Sequence, residues 1–223
     1  VGLGAGGLQR QQVAALLDEP GHAAQGGKLA GIAATGIAVL FLGGLQAGQT
    51  VFVQGTGGVS LIAAQFAKAS DARVIGLTSR VAKAAVLREH GAADVIDYRT
   101  VPEWSGEVMR VTGGRGAGVV VETVGTTLSQ TLACVGFGGF VAVVGFLGGY
   151  EVPLSIRQPI GPMVRMQGIV VGARATLESL IRLMELHRLR PRIDRRFPLD
   201  EAAEAFRHMG RRADMCKVVV ALG

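Results

Sequence analysis

The sequence predicts an α/β protein built on a parallel, doubly wound, six-stranded sheet with helices on both faces. Short Val- and Ile-rich runs alternate with helical patterns after Gly48, at roughly 20–25 residues per β-α unit. The runs lack strict polar alternation, as expected when helices cover both faces of a sheet. A glycine-rich turn follows the first run and leads into an alanine-rich helical pattern.

Composition fits this fold class and excludes others. The chain is 49% hydrophobic and has 34 glycines, which is typical of an α/β protein with many turns. The net charge of +6 arises in the last third, where the arginines are spread through amphipathic patterns without interleaved aromatic residues. We therefore expect no nucleic-acid partner. The uncharged run 29–67 has an apolar part at the short limit for a bilayer span, so we expect a buried helix and no membrane association.

The two cysteines, Cys134 and Cys216, lie far apart and form no CxxC motif. This spacing indicates a reducing compartment and argues against a structural zinc site in the chain. The N-terminus shows no basic segment followed by a small-residue cleavage site, so we expect a cytoplasmic protein.

The elements are expected in alternating order. The Val- and Ile-rich runs predict strands at 51–54, 73–77, 94–97, 118–121, 139–144 and 167–171. The apolar run before the first strand and the patterns between strands predict helices at 29–45, 58–69, 80–90, 102–112, 126–134 and 175–188. The tail adds an extended piece at 195–198, a helix at 199–209 and a strand at 217–221. Right-handed crossovers then give the strand order 3-2-1-4-5-6, the arrangement of a Rossmann domain.

The turn after the first strand has the features of a dinucleotide-binding loop. Its sequence, QGTGGVS at residues 54–60, follows a strand and opens a helix. Gly55 permits a tight turn, Gly57 lets the backbone approach a pyrophosphate, and Ser60 stands where a third glycine would allow close helix packing. The expected pyrophosphate contacts come from Gly55, Gly57, Gly58 and Val59. A glycine turn that binds nothing is the alternative.

The end of the second strand favours NADP over NAD. Thr78-Ser79-Arg80 stand where an NAD-binding unit offers a carboxylate to the ribose. Hydroxyls and a guanidinium suit a 2′-phosphate, and Lys83 lies one helical turn further on. A solvated helix start remains the alternative.

Seven segments carry a resemblance to a known superfamily. In order they are GQTVFVQGTGGVSLIAAQFAKASDARVIGLTSR, HGAADVIDYR, VVVETVG, FVAVVGFLGG, MQGIVVGAR, LRPRIDRRFPLDEAAEAFRHM and KVVVALG. Over roughly residues 29–223 the chain resembles the medium-chain dehydrogenase/reductase superfamily, in its alcohol dehydrogenase and quinone oxidoreductase group. The resemblance implies that Lys83 and Tyr98 approach the adenosine phosphate of NADP. It implies contacts at the nicotinamide end from Val124, Phe146 and Val171, and more weakly from Lys217.

The resemblance also implies a division of the chain. Residues 1–28 form a poorly defined segment, 29–194 an NADP-binding Rossmann domain, and 195–223 a tail that packs toward a catalytic domain in relatives. That catalytic domain precedes the Rossmann domain in the family, and residues 1–28 cannot form it. The four histidines share no ligand spacing with either cysteine, so we expect no zinc in this chain.

The resemblance implies an oxidoreductase that transfers a hydride between NADP(H) and an alcohol, a carbonyl or an enone. A non-catalytic NADP-binding module is the alternative. Glu122 ends a strand where ligands gather in open α/β sheets. We expect a structural or ribose-side role for it in preference to a general base.

The resemblance further implies a homodimer through residues 167–171. In the family the sixth strand pairs with its symmetry mate, and this segment is uncharged, with little to protect an edge from pairing. Without a catalytic domain, Phe197, Phe206 and the run 218–220 are expected to lack the cover that this domain gives in relatives. We therefore expect the tail either to fold back on the Rossmann sheet or to be poorly ordered.

Overall fold

A computed structural model describes residues 35–36, 38–170, 174–210 and 217–221. Residues 1–34, which include the poorly defined segment, lie outside the described residues. The described chain divides into two compact units, one ending at 170 and the other covering 174–221. The resemblance implies instead a domain that continues to 194, and that division stays a prediction.

The first unit contains the predicted six-stranded parallel sheet. Its strands are β1 (Thr50–Gln54), β2 (Arg73–Thr78), β3 (Ala92–Asp97), β4 (Ala117–Glu122), β5 (Val135–Val143) and β6 (Arg165–Gly168). Their order is β3-β2-β1-β4-β5-β6, which confirms the predicted order. All five strand pairings are parallel.

Helices flank this sheet. They are α1 (Gly58–Ala69), α2 (Val81–Glu89), α3 (Trp104–Val111), α4 (Leu128–Cys134) and the short α5 (Arg157–Ile160). A helical stretch also occupies 35–36 and 38–43 before β1. The prediction of α1 at 58–69 is confirmed residue for residue, whereas α5 was not predicted.

The core of this unit lies between the sheet and its helices. The Phe52 ring of β1 lies 5.2 Å from the Trp104 ring at the start of α3. On β2, a Cβ added at Gly76 would lie 2.8 Å from Leu87, so α2 packs closely against the strand. The apolar side chains of β1 and β4 are fully buried, which explains why these strands show no polar alternation.

Two strand predictions need correction. β5 begins at Val135, not 139, and its pairing with β4 shifts between Ala117 and Val119, where a bulge disturbs the ladder. β6 spans Arg165–Gly168 in place of 167–171. Pairing of Arg165 with Phe140 sets its start, and the Arg165 side chain donates to the Gly43 carbonyl at 2.9 Å. The sixth strand therefore carries a charge that the predicted segment lacked.

The second unit contains α6 (Arg174–His187), β7 (Ile193–Pro198), a 3₁₀ turn (Leu199–Glu201), α7 (Ala202–Gly210) and β8 (Lys217–Ala221). β7 and β8 pair in parallel as a two-stranded sheet. Phe197 and Val219 are buried, so the expectation that they lack cover is wrong, whereas Phe206 is exposed as expected. No helix within the described ranges is long and apolar enough to cross a membrane.

Candidate functional site

The carboxyl ends of β1, β2 and β4 meet at one edge of the sheet, where parallel sheets of this kind bind ligands. The glycine turn after β1 is tied to this edge by its first residue. The backbone N–H of Gly55 donates to the Leu77 carbonyl of β2 at 2.7 Å. Gly55 has φ +75°, a conformation that favours glycine.

The turn leaves the start of α1 open. Gly57 is the N-cap residue of α1, and no side chain caps the helix. The first turn has no acidic residue, and a Cβ added at Gly55 or at Gly57 would meet no atom within 4 Å. Free N–H groups and the positive end of the helix dipole therefore face open space, an arrangement suited to an anion.

Gln54, the last residue of β1, fixes the turn from behind. Its carbonyl accepts from the Ser60 hydroxyl at 2.6 Å and from the Thr123 hydroxyl at 3.3 Å. Ser60 is buried, so it replaces the third glycine of the motif and bonds α1 to the end of β1. The turn is thereby held to both its own helix and the end of β4.

The predicted adenosine-phosphate residues follow β2 and β3 at the same edge. Thr78 and Asp97 are register partners, and the Tyr98 N–H donates to the Thr78 carbonyl at 3.0 Å. The structure thus brings the segment that begins with Ser79 next to Tyr98. Arg80 is the exposed N-cap of α2, and Lys83 lies half-buried in its first turn.

Two polar groups beside this segment bear on what it can bind. The Thr78 hydroxyl is buried and has no hydrogen-bond partner in the structure. A buried polar group without a partner is unfavourable, and a ligand hydroxyl or bound water would satisfy it. The carboxylate of Asp97 lies at the end of β3, not β2, and it accepts the Arg99 N–H at 2.9 Å.

Glu122, at the end of β4, is fully buried and accepts five hydrogen bonds. Its Oε1 atom accepts the N–H groups of Val124 and Gly125, each at 2.9 Å. Since a general base must reach solvent or substrate, this geometry favours the structural role expected for Glu122.

The other donors to Glu122 come from β1 and α4. Thr127 donates to Oε1 at 2.8 Å, and Thr131 donates to Oε2 at 2.5 Å. The Gln54 amide donates to Oε2 at 2.9 Å and to the Thr131 hydroxyl at 3.1 Å. The side-chain amide oxygen of Gln54 accepts the Thr123 N–H at 3.1 Å. All donors are neutral, so hydrogen bonds alone compensate for burying the carboxylate.

Val124 and Phe146, the residues expected at the nicotinamide end, lie on two loops that are hydrogen-bonded to each other. The Val124 carbonyl accepts the Gly148 N–H at 2.8 Å. Gly125 has φ +83°, and a Cβ there would lie 2.9 Å from the Gly149 carbonyl oxygen. Phe146 is 60% exposed and its ring lies 4.8 Å from the Tyr150 ring. These loops form an aromatic, solvent-facing surface beside the end of β4.

Two of the residues expected at the nicotinamide end stay predictions. Val171 lies outside the described residues. Lys217 is the first residue of β8 in the second unit. Within the described part of the chain, no three His, Cys, Asp or Glu side chains lie close enough to hold a metal ion.

Cys134, at the end of α4, has a thiol of low reactivity. Burial and the negative charge of Glu122 raise the pKa of its thiol to about 12. The thiol also donates to the Thr131 carbonyl at 3.4 Å. Since the thiolate is the nucleophilic form, Cys134 is not suited to catalysis.

Sequence reasoning missed the side chains that bind Glu122. Gln54 is a polar residue that ends an otherwise apolar strand, and it is almost fully buried. Thr127 is the N-cap residue of α4 and Thr131 lies four residues further on, so the two side chains lie on one side of the helix. The available sequence signal was a polar residue at the end of an apolar strand, together with the threonine pair. Only the fold shows that Gln54, Thr127 and Thr131 contact one carboxylate.

A family model described as a zinc-binding dehydrogenase matches residues 58–185, more than half of the chain. The chain belongs to this family. It represents the cofactor-binding half of the medium-chain dehydrogenase/reductase superfamily, as the seven segments indicate.

Two curated relatives match most of this chain. A zinc-type alcohol dehydrogenase-like protein of Schizosaccharomyces pombe is 31% identical over 181 residues, 79% of this chain and 52% of the relative. A quinone oxidoreductase of Pseudomonas aeruginosa is 31% identical over 184 residues, 75% of this chain and 55% of the relative. The chain spans about half the length of these relatives.

Solved structures agree with the fold. A putative alcohol dehydrogenase from Sinorhizobium meliloti 1021 is 36% identical, with a TM-score of 0.81 over 86% of this chain and 56% of its own. An NAD-dependent alcohol dehydrogenase is 31% identical, with a TM-score of 0.80 over 87% and 57%. A mycobacterial protein in complex with NADPH is 25% identical, with a TM-score of 0.72 over 84% and 63%.

Proposed function

We propose that this chain is the cofactor-binding half of an oxidoreductase that transfers a hydride between NADP(H) and an alcohol, a carbonyl or an enone. The observation that carries the proposal is the uncapped start of α1 behind an open glycine turn at the carboxyl edge of the sheet. Related proteins are described as alcohol dehydrogenases and quinone oxidoreductases, which supports the reaction class.

The pyrophosphate of the cofactor binds at the glycine turn. The N–H groups at the start of α1, from Gly57 to Val59, donate to its oxygens, and no acidic side chain in the first turn opposes its charge. Gly55 supplies the left-handed turn, and the space next to Gly57 admits the phosphate oxygens.

The 2′-phosphate of NADP binds beside the end of β2. Arg80 and Lys83 supply positive charge there, and Ser79 and Tyr98 supply hydroxyl groups. The orphaned Thr78 hydroxyl offers a further donor for the ribose side. Both an NAD-dependent and an NADPH-bound protein occur among the structural relatives, so the preference rests on these residues alone.

The nicotinamide ring supplies the hydride when the cofactor is bound. The turn at Val124 and the loop at Phe146 position that end of the cofactor, and the exposed aromatic pair shields one side of it from water. Val171 and Lys217 remain proposed contacts by resemblance.

Calorimetric titration of the wild-type chain and two arginine variants tests the cofactor preference. Charge-assisted hydrogen bonds contribute about 1.5–3 kcal/mol, so NADPH should bind roughly 10- to 150-fold more tightly than NADH. Exposure of Arg80 favours the lower end of that range. Arg80→Ala should reduce the preference several-fold and leave NADH affinity unchanged.

Arg115→Ala is the matched control, because Arg115 is exposed at the opposite edge of the sheet, just before β4. It should change neither affinity. Equal affinities for the two cofactors in the wild-type chain, or tighter NADH binding, would contradict the proposal.

A second candidate function is cofactor binding without catalysis by this chain alone. The burial of Glu122 favours it, because the carboxylate at the end of β4 is sealed from substrate. Incubating the chain with NADPH and a simple quinone or enone separates the two functions. Steady loss of NADPH absorbance supports catalysis, whereas tight binding without turnover supports the second candidate.

A further inference from the structure

We infer that Glu122 is a positioning residue that holds the nicotinamide-side loops in their binding conformation through a buried hydrogen-bond network. The network consists of Glu122, Gln54, Thr123, Thr127 and Thr131. The inference rests on the proposed cofactor function and adds a role for residues that do not touch the cofactor.

The first step of the argument is burial. Glu122 and Thr131 are 0% exposed and Gln54 is 2% exposed, so a bound cofactor contacts none of these side chains. The carboxylate of Glu122 accepts five hydrogen bonds, from Gln54, Thr127, Thr131 and the backbone N–H groups of Val124 and Gly125, and these compensate for its loss of hydration. Each group in the network is hydrogen-bonded to another, so removal of any one deletes at least one buried hydrogen bond.

The second step is where the hydrogen bonds lead. One carboxylate oxygen holds the backbone N–H groups of Val124 and Gly125, which form the turn after β4. The backbone of that segment in turn holds the loop after β5. The carbonyl of Glu122 itself accepts the Val144 N–H at 2.8 Å, and the carbonyl of Val124 accepts the Gly148 N–H at 2.8 Å.

The third step is the connection to the glycine turn. The second carboxylate oxygen accepts the Gln54 amide, and Gln54 immediately precedes Gly55. Gln54 and Glu122 are 68 residues apart in sequence, so this contact joins β1 to β4 directly. One side chain therefore links the pyrophosphate turn to the nicotinamide-side turn.

The chemistry of an amide at position 122 gives the test. Glu122→Gln keeps the shape but converts one acceptor into a donor. If the new NH₂ group faces the turn, it opposes the N–H groups of Val124 and Gly125. If it faces β1, it opposes the amide of Gln54. In either orientation a buried donor loses its acceptor, and the turn after β4 must reorder when the cofactor binds.

The adenine half of the cofactor lies away from these loops, beside β2 and β3 in the proposed binding mode. We therefore compare titrations with NADPH and with adenosine 2′,5′-bisphosphate, which contains only the adenine half. Glu122→Gln should weaken NADPH binding roughly tenfold and change binding of the bisphosphate less than about twofold.

A charge swap provides the rescue. In the double variant Gln54→Glu with Glu122→Gln, the new amide donates to the new carboxylate across the same contact. The side-chain carbonyl oxygen of the amide at position 122 still accepts the N–H groups of Val124 and Gly125. The hydroxyl of Thr131 can rotate to donate to the carboxylate at position 54. NADPH affinity should return to within about threefold of the wild-type value. Gln54→Glu alone, with Glu122 unchanged, places two carboxylates in contact and should itself weaken NADPH binding.

Two threonine variants separate positioning from general stability. Thr131→Val removes a buried hydroxyl from the network, whereas Thr112→Val removes one at the opposite edge of the sheet. The Thr112 hydroxyl donates to the Val108 carbonyl at 2.8 Å and accepts the Gly116 N–H at 3.0 Å. Both variants should lower thermal stability. Only Thr131→Val should weaken NADPH relative to the bisphosphate.

Each outcome decides the inference. The inference is supported if Glu122→Gln loses affinity for NADPH but not for the bisphosphate, if the double variant restores it, and if Thr112→Val shows no such loss. Equal loss of both ligands, no loss, or a folded swap variant without restored affinity overturns it. If Glu122→Gln does not fold, the swap and Thr131→Val decide by the same criteria. A wild-type chain that binds neither ligand overturns the proposed function itself, which distinguishes the two failures.

Discussion

Gly55 and Gly57 stand two residues apart in the same turn but differ in backbone conformation. Gly55 has φ +75° and Gly57 has φ −69°. Neither position is crowded, because an added Cβ would meet no atom within 4 Å. The effect of backbone strain and the effect of filling the space beside the turn can therefore be tested separately at these two positions.

Alanine at Gly55 should mainly lower stability, whereas alanine at Gly57 should mainly weaken cofactor binding. Gly55→Ala should lower the free energy of unfolding by about 1–2 kcal/mol, because alanine is strained in the left-handed region. Gly57→Ala should leave stability nearly unchanged but weaken NADPH binding, since its methyl group would occupy the proposed pyrophosphate approach. Urea unfolding and calorimetry measure the two effects. Unchanged NADPH affinity in Gly57→Ala would argue against the pyrophosphate site.

Cys134 gives a prediction on pH. Its pKa is raised from the ordinary value of 9.0 to about 12, so the unfolded chain loses the thiol proton first. Stability from this group is complete below pH 9 and is lost as pH rises toward 12, at about 1.4 kcal/mol per pH unit. Unfolding free energies of wild type and Cys134→Ala from pH 8 to 10 measure this. Parallel pH profiles for the two proteins would refute the raised pKa.

Residues that act locally were predictable, and residues that act across the fold were not. The glycines at 55, 57 and 58 follow from a strand–turn–helix pattern that the sequence displays directly. Gln54 could not be assigned in the same way, because its partners Glu122 and Thr131 are 68 and 77 residues away. Only the pairing of β1 with β4 brings them together.

At the level of elements, Gly76 controls how closely α2 approaches β2. Gly76→Ala should lower the free energy of unfolding by about 1–3 kcal/mol, because its Cβ would lie 2.8 Å from the fully buried Leu87. Displacement of α2 should also weaken NADPH more than NADH, since Arg80 and Lys83 move with that helix. Thermal unfolding and calorimetry measure the two effects.

Gly118→Ala on β4 is the control for this substitution. An added Cβ there would lie 3.4 Å from the Gln49 side chain, which is ordinary contact. It should cost less than about 0.5 kcal/mol of stability. If Gly76→Ala is no more destabilising than Gly118→Ala, the close packing of α2 on β2 is not significant.

Element types were more predictable than element bounds. Periodicity predicted α1 at its observed bounds, since the glycine turn marks one end and Ser70 the other. The predicted start of β6 was two residues late. The apolar run 169–171 favoured a strand there, whereas the strand begins at Arg165, which pairs with Phe140. Periodicity also missed the parallel pairing of β7 and β8, which sequence patterns do not encode.

For the whole molecule, the edge strand β6 raises the question of assembly. Its four residues are exposed, and in the described residues only β5 pairs with it. We predict a two-fold dimer through the segment 167–171, with Val170, 88% exposed, close to the partner. Analytical ultracentrifugation at micromolar concentration should show a dimer. A monomer that persists on concentration would refute it.

A matched pair of lysine variants locates the interface. Val170→Lys should raise the dimer dissociation constant by roughly tenfold or more, because the two-fold axis brings like charges together. Val81→Lys should not, since Val81 is 85% exposed at the start of α2, which connects β2 and β3 at the other side of the sheet. Equal effects of both variants would place the interface elsewhere.

The central claim is that this chain, which spans about half the length of its curated relatives, holds a nicotinamide cofactor at the carboxyl edge of its six-stranded sheet. Amide chemical shifts followed by NMR during NADPH titration test it most directly. The account predicts the largest changes at residues 55–59, 78–83 and 123–125, with little change at the amino edge around Gly116. Absence of shifts, or shifts centred on the amino edge, would contradict it.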